Sequence, residues 1–153
     1  MVFAQILTTI EPMNVKTLAE CPEKLHECLL LIEESFNYDQ SHSFKEDFAL
    51  LVDKDNFENC YFLQEEDKVA ATLFTLPRTL LHKNEKLPVL FLGGISVRDE
   101  NRGGGLFRTL LETILLLNPN YGLYFLWSDL AQLYEKFNFY EFINLIDDFR
   151  NTE

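Results

Sequence analysis

Asn101-Arg102-Gly103-Gly104-Gly105-Leu106-Phe107-Arg108 separates a strand-like segment, residues 89–97, from an apolar helix-like segment, residues 106–117. Glycines at such a junction let the backbone turn tightly and bring N–H groups close to a ligand. The helix that follows offers its positive end and its unpaired N–H groups to an anion. Arg98, Arg102 and Arg108 place three of thirteen basic side chains within eleven residues, a local reversal of sign in a chain of net charge −12. The junction therefore reads as a site for a phosphate-bearing ligand. The competing reading is a glycine-rich surface turn that carries arginines, and the strand before and helix after weigh against it.

Working outward, the strand is opened by Pro88 and runs Val89-Leu90-Phe91-Leu92, Gly93-Gly94, Ile95-Ser96-Val97. Its near-continuous apolar character suggests burial on both faces. Two adjacent glycines inside it suggest a bulge or a close backbone approach. Downstream, Leu106, Phe107, Leu110, Leu111, Ile114 and Leu117 form a wide helical face that Asn118-Pro119-Asn120 ends. Residues 121–127 read as an aromatic strand, Leu130, Leu133 and Tyr134 as a short helix, and residues 139–146 as a last strand.

Upstream, residues 60–64 and 69–76 read as a hairpin across Glu65-Glu66-Asp67, and residues 80–87 as a charged connection. Residues 53–59 are turn chemistry. Pro22 suits the first position of a helix whose apolar stripe is Leu25, Cys28, Leu29, Ile32 and Phe36, with Glu23, Glu27 and Glu34 opposite. Residues 37–43 form a polar loop. Ser43 with Glu46 makes a capping box for a second helix reaching about Val52. Residues 2–10 suggest a first strand. The order β-α-α-β-β-β-α-β-α-β predicts one mixed α/β (α+β) domain over residues 1–153, built around a central sheet.

Composition narrows the function. With 47% hydrophobic residues and fourteen phenylalanines, a packed core is available. An acidic chain of pI near 4.6 argues against nucleic acid, which needs a basic face. It suits a cationic amine, although acidity is also an ordinary solubility device. Cys21, Cys28 and Cys60 contain no C-x-x-C pair, and His26, His42 and His82 are scattered, so no disulfide framework or metal is expected. With no signal peptide and no bilayer-length apolar run, a cytoplasmic protein without a membrane partner is expected.

These residues resemble the GNAT superfamily of N-acetyltransferases. Its central motif is a strand followed by Gln/Arg-x-x-Gly-x-Gly/Ala opening a helix. Arg102-Gly103-Gly104-Gly105-Leu106-Phe107 supplies the Arg and the second Gly, with Phe107 where the family has Gly or Ala. A second match, Leu133-Tyr134-Glu135-Lys136-Phe137-Asn138-Phe139, is similar to the family's Tyr-Glu-Lys-x-Gly-Phe, with Asn138 in place of Gly. Asn is the next most tolerant residue of a left-handed helix cap. The resemblance implies an acyl-CoA N-acyltransferase fold with a mixed, mostly antiparallel sheet flanked by helices. The family's further closing strand has little room after residue 146, which leaves open a shortened sheet or one completed by a partner chain, as in a homodimer.

The resemblance also implies acetyl-CoA as co-substrate. Its pyrophosphate would rest on backbone N–H groups of Arg102, Gly103, Gly104, Gly105, Leu106 and Phe107, with the Arg102 and Arg108 side chains adding charge. Its pantetheine arm would pair with Ile95, Ser96 and Val97, in a gap between that strand and residues 121–127. The Gly93-Gly94 bulge would splay the strands and aim an N–H at the thioester oxygen. The spacing of Phe107 to Leu110, Leu111 and Ile114 turns its side chain toward the core.

Tyr134 matches the family's general acid; its ordinary alternative is a core aromatic. No Glu or Asp lies within residues 89–97, so the base stays unassigned among Asp129, Glu33, Glu34, His42 and a water chain. Asp129 otherwise reads as a helix N-cap, and the two glutamates as a solvated face. The acceptor rim would be residues 36–44, with Tyr38, Asp39 and His42, together with Tyr140. The expected function is acetyl transfer to the amine of a small molecule or peptide by direct attack. The alternative is a degenerate module of the same fold that binds CoA weakly or not at all and acts in regulation or protein interaction.

Overall fold

A five-stranded sheet in the order β1-β2-β3-β4-β5 forms the middle of the molecule, and the computed structural model describes residues 15–141. The strand expected over residues 2–10 lies outside the described residues. The sheet starts instead with β1 (Val15–Thr17), paired antiparallel with β2 (Cys60–Glu65) from Val15↔Leu63 to Thr17↔Tyr61. β2 and β3 (Lys68–His82) form the expected hairpin. Glu66 and Asp67 both take positive φ, 48° and 66°, as the favoured two-residue hairpin turn requires.

The expected charged connection over residues 80–87 is a strand pair. β3 and β4 (Glu85–Val97) stay in register to His82↔Glu85, and the chain reverses at Lys83-Asn84. The reason the sequence misled is that residues 78–88 are exposed throughout, so no buried face imposes an apolar alternation. Two proline positions, Pro77 and Pro88, are accommodated within this ladder.

On one face lies the helical layer of α1 (Leu25–Ser35), entered through a 3₁₀ turn at Pro22–Lys24, and α2 (Phe44–Asp47). Ser43 caps α2 as its sequence predicts, accepting from the Glu46 N–H at 3.2 Å. α2 is shorter than expected because Leu51 and Val52 turn down into the core, and burying them outweighs another helical turn. Residues 53–59 are more regular than turn chemistry suggests: Asp53 caps a 3₁₀ helix, Lys54–Asn59. Leu18, Cys28, Ile32, Phe44, Leu51, Cys60, Phe62 and Phe74 fill this layer.

On the other face packs α3 (Leu106–Leu117), with the bounds its apolar spacing predicts. Leu106, Leu110, Leu111 and Ile114 pack there with Leu73, Leu90, Leu92 and Tyr134. The chain then enters β5 (Leu123–Leu126), the inner part of the strand expected over residues 121–127, and α4 (Ala131–Glu135). Of the strand expected over residues 139–146, positions 139–141 carry no strand and the rest lies outside the described residues.

β4 and β5 are the one parallel pair among the described strands. They stay in register from Val89↔Leu123 to Leu92↔Leu126, and β4 then runs five residues further without β5 beside it. That divergence positions the candidate site.

Candidate active site

The two strands part where β4 is bulged. The β3 ladder pairs Phe74 with Gly93 and Thr72 with Ser96, so Leu73 alone faces Gly94 and Ile95. Gly94 takes a φ of 57°, and Thr72 Oγ1 donates to its carbonyl at 2.8 Å, pinning the bulge that the glycine pair predicts. Beyond it, the Arg98 N–H donates to Ala70 O at 2.8 Å. Alternation then turns the amide and carbonyl of Val97 away from β3, toward the side that β5 has left. The Val97 carbonyl accepts there from Arg102 Nε at 3.3 Å.

Ile95 and Val97 pack against the α3-side core. Ser96 faces the other way, and among the described residues its hydroxyl is the one fully buried side-chain polar atom without a hydrogen-bond partner.

A short 3₁₀ turn, Asp99–Asn101, leads from β4 to the glycine loop. Gly105 is the N-cap of α3 with φ 81°, a conformation an L residue rarely adopts. No side chain caps the helix and no acid lies in its first turn. The Arg102 N–H is taken by Asp99 O at 3.2 Å, and the first intrahelical bond along this turn is Thr109 N–H to Gly105 O, so the amides of Gly103 to Phe107 are the ones open to an anion. A Cβ at Gly103 or Gly105 would meet nothing within 4 Å, so the approach is open.

The three arginines divide. Arg98 is structural, donating through Nε to Val69 O at 3.0 Å and lying 3.8 Å from Glu27. Arg102 pairs with Asp99 at 2.9 Å, and Arg108 with Glu112 at 3.2 Å while stacking over Phe137. Both are more than half exposed, at the loop and on the first turn of α3.

Phe107 turns inward, as its helical spacing predicts. It packs edge-on against Tyr134 at 5.6 Å and Phe137 at 5.5 Å between ring centres. Tyr134 is 7% exposed. Burial pushes its hydroxyl above the ordinary tyrosine value, and the Ser128 hydroxyl offsets part of that rise. Asn138 adopts φ 63°, the left-handed geometry expected where the motif has Gly. The glycine loop, Phe107 and Tyr134 are thus joined through one aromatic cluster.

The candidates for a base are scattered. Glu33 accepts from the Phe44 N–H at 2.9 Å and serves the start of α2, whereas Glu34 is exposed. Asp129 is exposed and does not cap α4; Ser128 Oγ accepts from the Leu130 N–H at 2.9 Å. Asp39 accepts from Ser41 and pairs with His42 at 3.0 Å. Ser41 first and then His42 hold the Asp39 carboxyl well below the usual range, and Asp39 raises the imidazole. Burial, with a hydrogen bond to Asp47, raises the Tyr38 hydroxyl. Tyr38 also packs edge-on against Phe44, so this loop adjoins the bulge, while Tyr140 is exposed. Among the described residues, no cluster of His, Cys, Asp and Glu could hold a metal ion.

Sequence reasoning missed Thr72, Leu51 and the Phe91–Phe125 pair, all of which shape the point where the strands part. Nothing in the linear pattern identifies them, because their roles depend on strand register and on how α2 ends.

The family model described as an acetyltransferase (GNAT) domain matches residues 16–143. A predicted acetyltransferase from Clostridium acetobutylicum, solved with acetyl-CoA, superposes with TM-score 0.67 at 12% identity, covering 88% of this chain and 97% of that one. The aminoglycoside 6′-N-acetyltransferase of Acinetobacter haemolyticus gives 0.62 at 20%, covering 86% and 94%. A conserved Enterococcus faecalis protein gives 0.64 at 18%, covering 80% of this chain but 31% of that longer one. At these identities the superpositions speak for the fold alone. No curated protein matches the chain.

Proposed function

This chain belongs to the GNAT acetyltransferase family, whose members use acetyl-CoA, and from that premise we propose that it transfers an acetyl group to the amine of a small molecule or peptide. The observation that carries the proposal is the uncapped, open start of α3 beside the unpaired edge of β4. An anionic group suits the first, and an extended amide-bearing arm suits the second.

Bound acetyl-CoA supplies the activated acyl carbon. The amides from Gly103 to Phe107 would hold its pyrophosphate, with the Arg102 and Arg108 side chains alongside; the Arg102 amide is taken by Asp99 O. The outward groups of Val97, with Ile95 and Ser96, would align the arm, and the bulge at Gly94 would present a backbone donor to the thioester oxygen. The amine attacks the acyl carbon directly, a C–N bond forms and the C–S bond breaks. Tyr134 Oη gives its proton to the departing sulfur. The amine's own proton leaves to water or to a carboxylate at the rim. The inward packing of Phe107 removes the main steric objection to this arrangement and weighs against a degenerate module.

Calorimetric titration with acetyl-CoA, CoA and adenosine diphosphate tests the proposal. Micromolar binding that requires the pantetheine arm supports it, and no binding at millimolar ligand overturns it. Gly105→Glu should weaken acetyl-CoA on the order of 100-fold, because a carboxylate at the helix start displaces charge-assisted hydrogen bonds worth about 1.5–3 kcal/mol each. Retained affinity in the folded variant would exclude the pyrophosphate assignment.

A further inference from the structure

The gap between β4 and β5 ends at a fixed depth. From the rejoined pair Leu92↔Leu126 to Val97, β4 rises roughly 16 Å at about 3.3 Å per residue, a length that an extended pantetheine arm spans. An arm anchored at the glycine loop therefore delivers its acyl end to the apex, where the strands come back into register. This inference rests on the acetyl-CoA reading above.

The apex is filled on both faces. On the α1 side, a Cβ at Gly93 would lie 2.9 Å from Leu51 Cδ2 and 2.9 Å from Phe91 Cε1. Phe91 in turn packs against Phe125, with ring centres 5.2 Å apart. One residue on, a Cβ at Gly94 would meet Ile32 Cδ1 at 3.0 Å and Phe44 Cζ at 3.3 Å. Leu51, Phe44 and Ile32 are themselves 1%, 3% and 0% exposed, so none can swing into solvent. On the α3 side, Leu92 and Leu126 close the apex against Leu110, Leu111 and Ile114. A two-carbon acyl group needs little beyond the backbone at the bulge, whereas each added methylene must displace close-packed apolar atoms.

We propose that Phe91 and Leu51, meeting over Gly93, form the stop that sets acyl-chain length and restricts this site to acetyl donors. Phe91 is the adjustable member, being half-buried, while Leu51 is a core residue held by the end of α2.

The test is calorimetric affinity for CoA, acetyl-CoA, propionyl-CoA and butyryl-CoA, which needs no acceptor. The intact protein should lose about tenfold or more in affinity per added methylene beyond acetyl. In Phe91→Ala, the ratio of butyryl-CoA to acetyl-CoA affinity should rise at least about tenfold. Equal binding of butyryl-CoA and acetyl-CoA by the intact protein overturns the stop, as does a folded Phe91→Ala protein with unchanged discrimination. Should Phe91→Ala fail to fold, Leu51→Val must relax the ratio in the same direction, and an unchanged ratio there refutes the proposal. Failure of CoA itself to bind is a different result: it overturns the acetyl-CoA reading, and the stop falls with it.

Discussion

Tyr134 shows how far a single side chain can be read. Its place in the second motif makes it the candidate acid, and its setting between Phe107 and Phe139 gives that role a physical basis. Burial disfavours the phenolate, so the hydroxyl keeps its proton through neutral pH and beyond the ordinary value of 10.0. The sign follows directly: an acid active in its protonated form loses activity only as pH rises through its raised value. The alkaline limb of the rate profile should therefore lie above 10, and Tyr134→Phe should remove it while lowering kcat about 10²–10⁴-fold. Measuring kcat against pH for both proteins checks this, and an unchanged rate in the variant removes Tyr134 from the mechanism. At this scale the sequence was informative wherever a residue's role follows from local geometry. The inward turn of Phe107 and the left-handed Asn138 are such cases. The hidden partners were those that only tertiary packing brings close, such as Ser128 beside Tyr134 and Leu51 above Gly93.

At the level of elements, the strand, glycine loop and helix around Arg102 were legible because each obeys its own local rule: apolar run, positive-φ glycines, 3.6-residue stripe. The exposed arm of β3 and β4 was not, because a ribbon in water on both faces has no buried side to impose a pattern. The i,i+3 and i,i+4 spacings of Asp99–Arg102 and Arg108–Glu112 also bring counter-ions to the two arginines, a signal that reading the arginines as a free cationic cluster passes over. Asp99 holds Arg102 at 2.9 Å, and Glu112 holds Arg108 at 3.2 Å, where a pyrophosphate would compete for the same guanidiniums. Because these pairs are largely exposed, each contributes only about 0.2–1 kcal/mol. Asp99→Asn should accordingly tighten acetyl-CoA binding by no more than about fivefold, and the gain should shrink as salt screens the site. Calorimetry at low and high ionic strength reads both effects. Weaker binding in the variant would mean that Asp99 positions Arg102 for the ligand instead of sequestering it.

Across the whole molecule, the sheet separates an α1-side layer from an α3-side layer, and the proposed cofactor path crosses between them where β4 and β5 part. Cys28 and Cys60 both lie in the α1-side layer, fully buried. Burial pushes the Cys28 thiol far up, and pushes Cys60 up to about 12 despite an opposing contact from Asn56. The Cys60 thiol donates to Leu51 O at 3.2 Å and is tied to the segment that closes the acyl apex. A raised thiol value keeps the native state protonated while unfolded thiols ionise above 9.0, so this contribution to stability is present below that pH and is lost as pH rises toward 12. Within the native protein, only the partly exposed Cys21 should react readily with an alkylating agent, while Cys28 and Cys60 wait for opening of the layer. If acetyl-CoA binds the folded state alone, it should slow labelling of the two buried thiols by the factor 1 + [L]/Kd, about 100-fold at a hundred times Kd, where closing outpaces labelling and labelling follows global opening. Mass spectrometry of each cysteine with time, with and without ligand, measures that factor. Protection of Cys28 and Cys60 by that factor, with Cys21 unchanged, is the expected result; fast labelling of Cys60 unaffected by ligand would mean that the α1-side layer opens on its own, and would separate the acyl apex from the cofactor's anchoring loop.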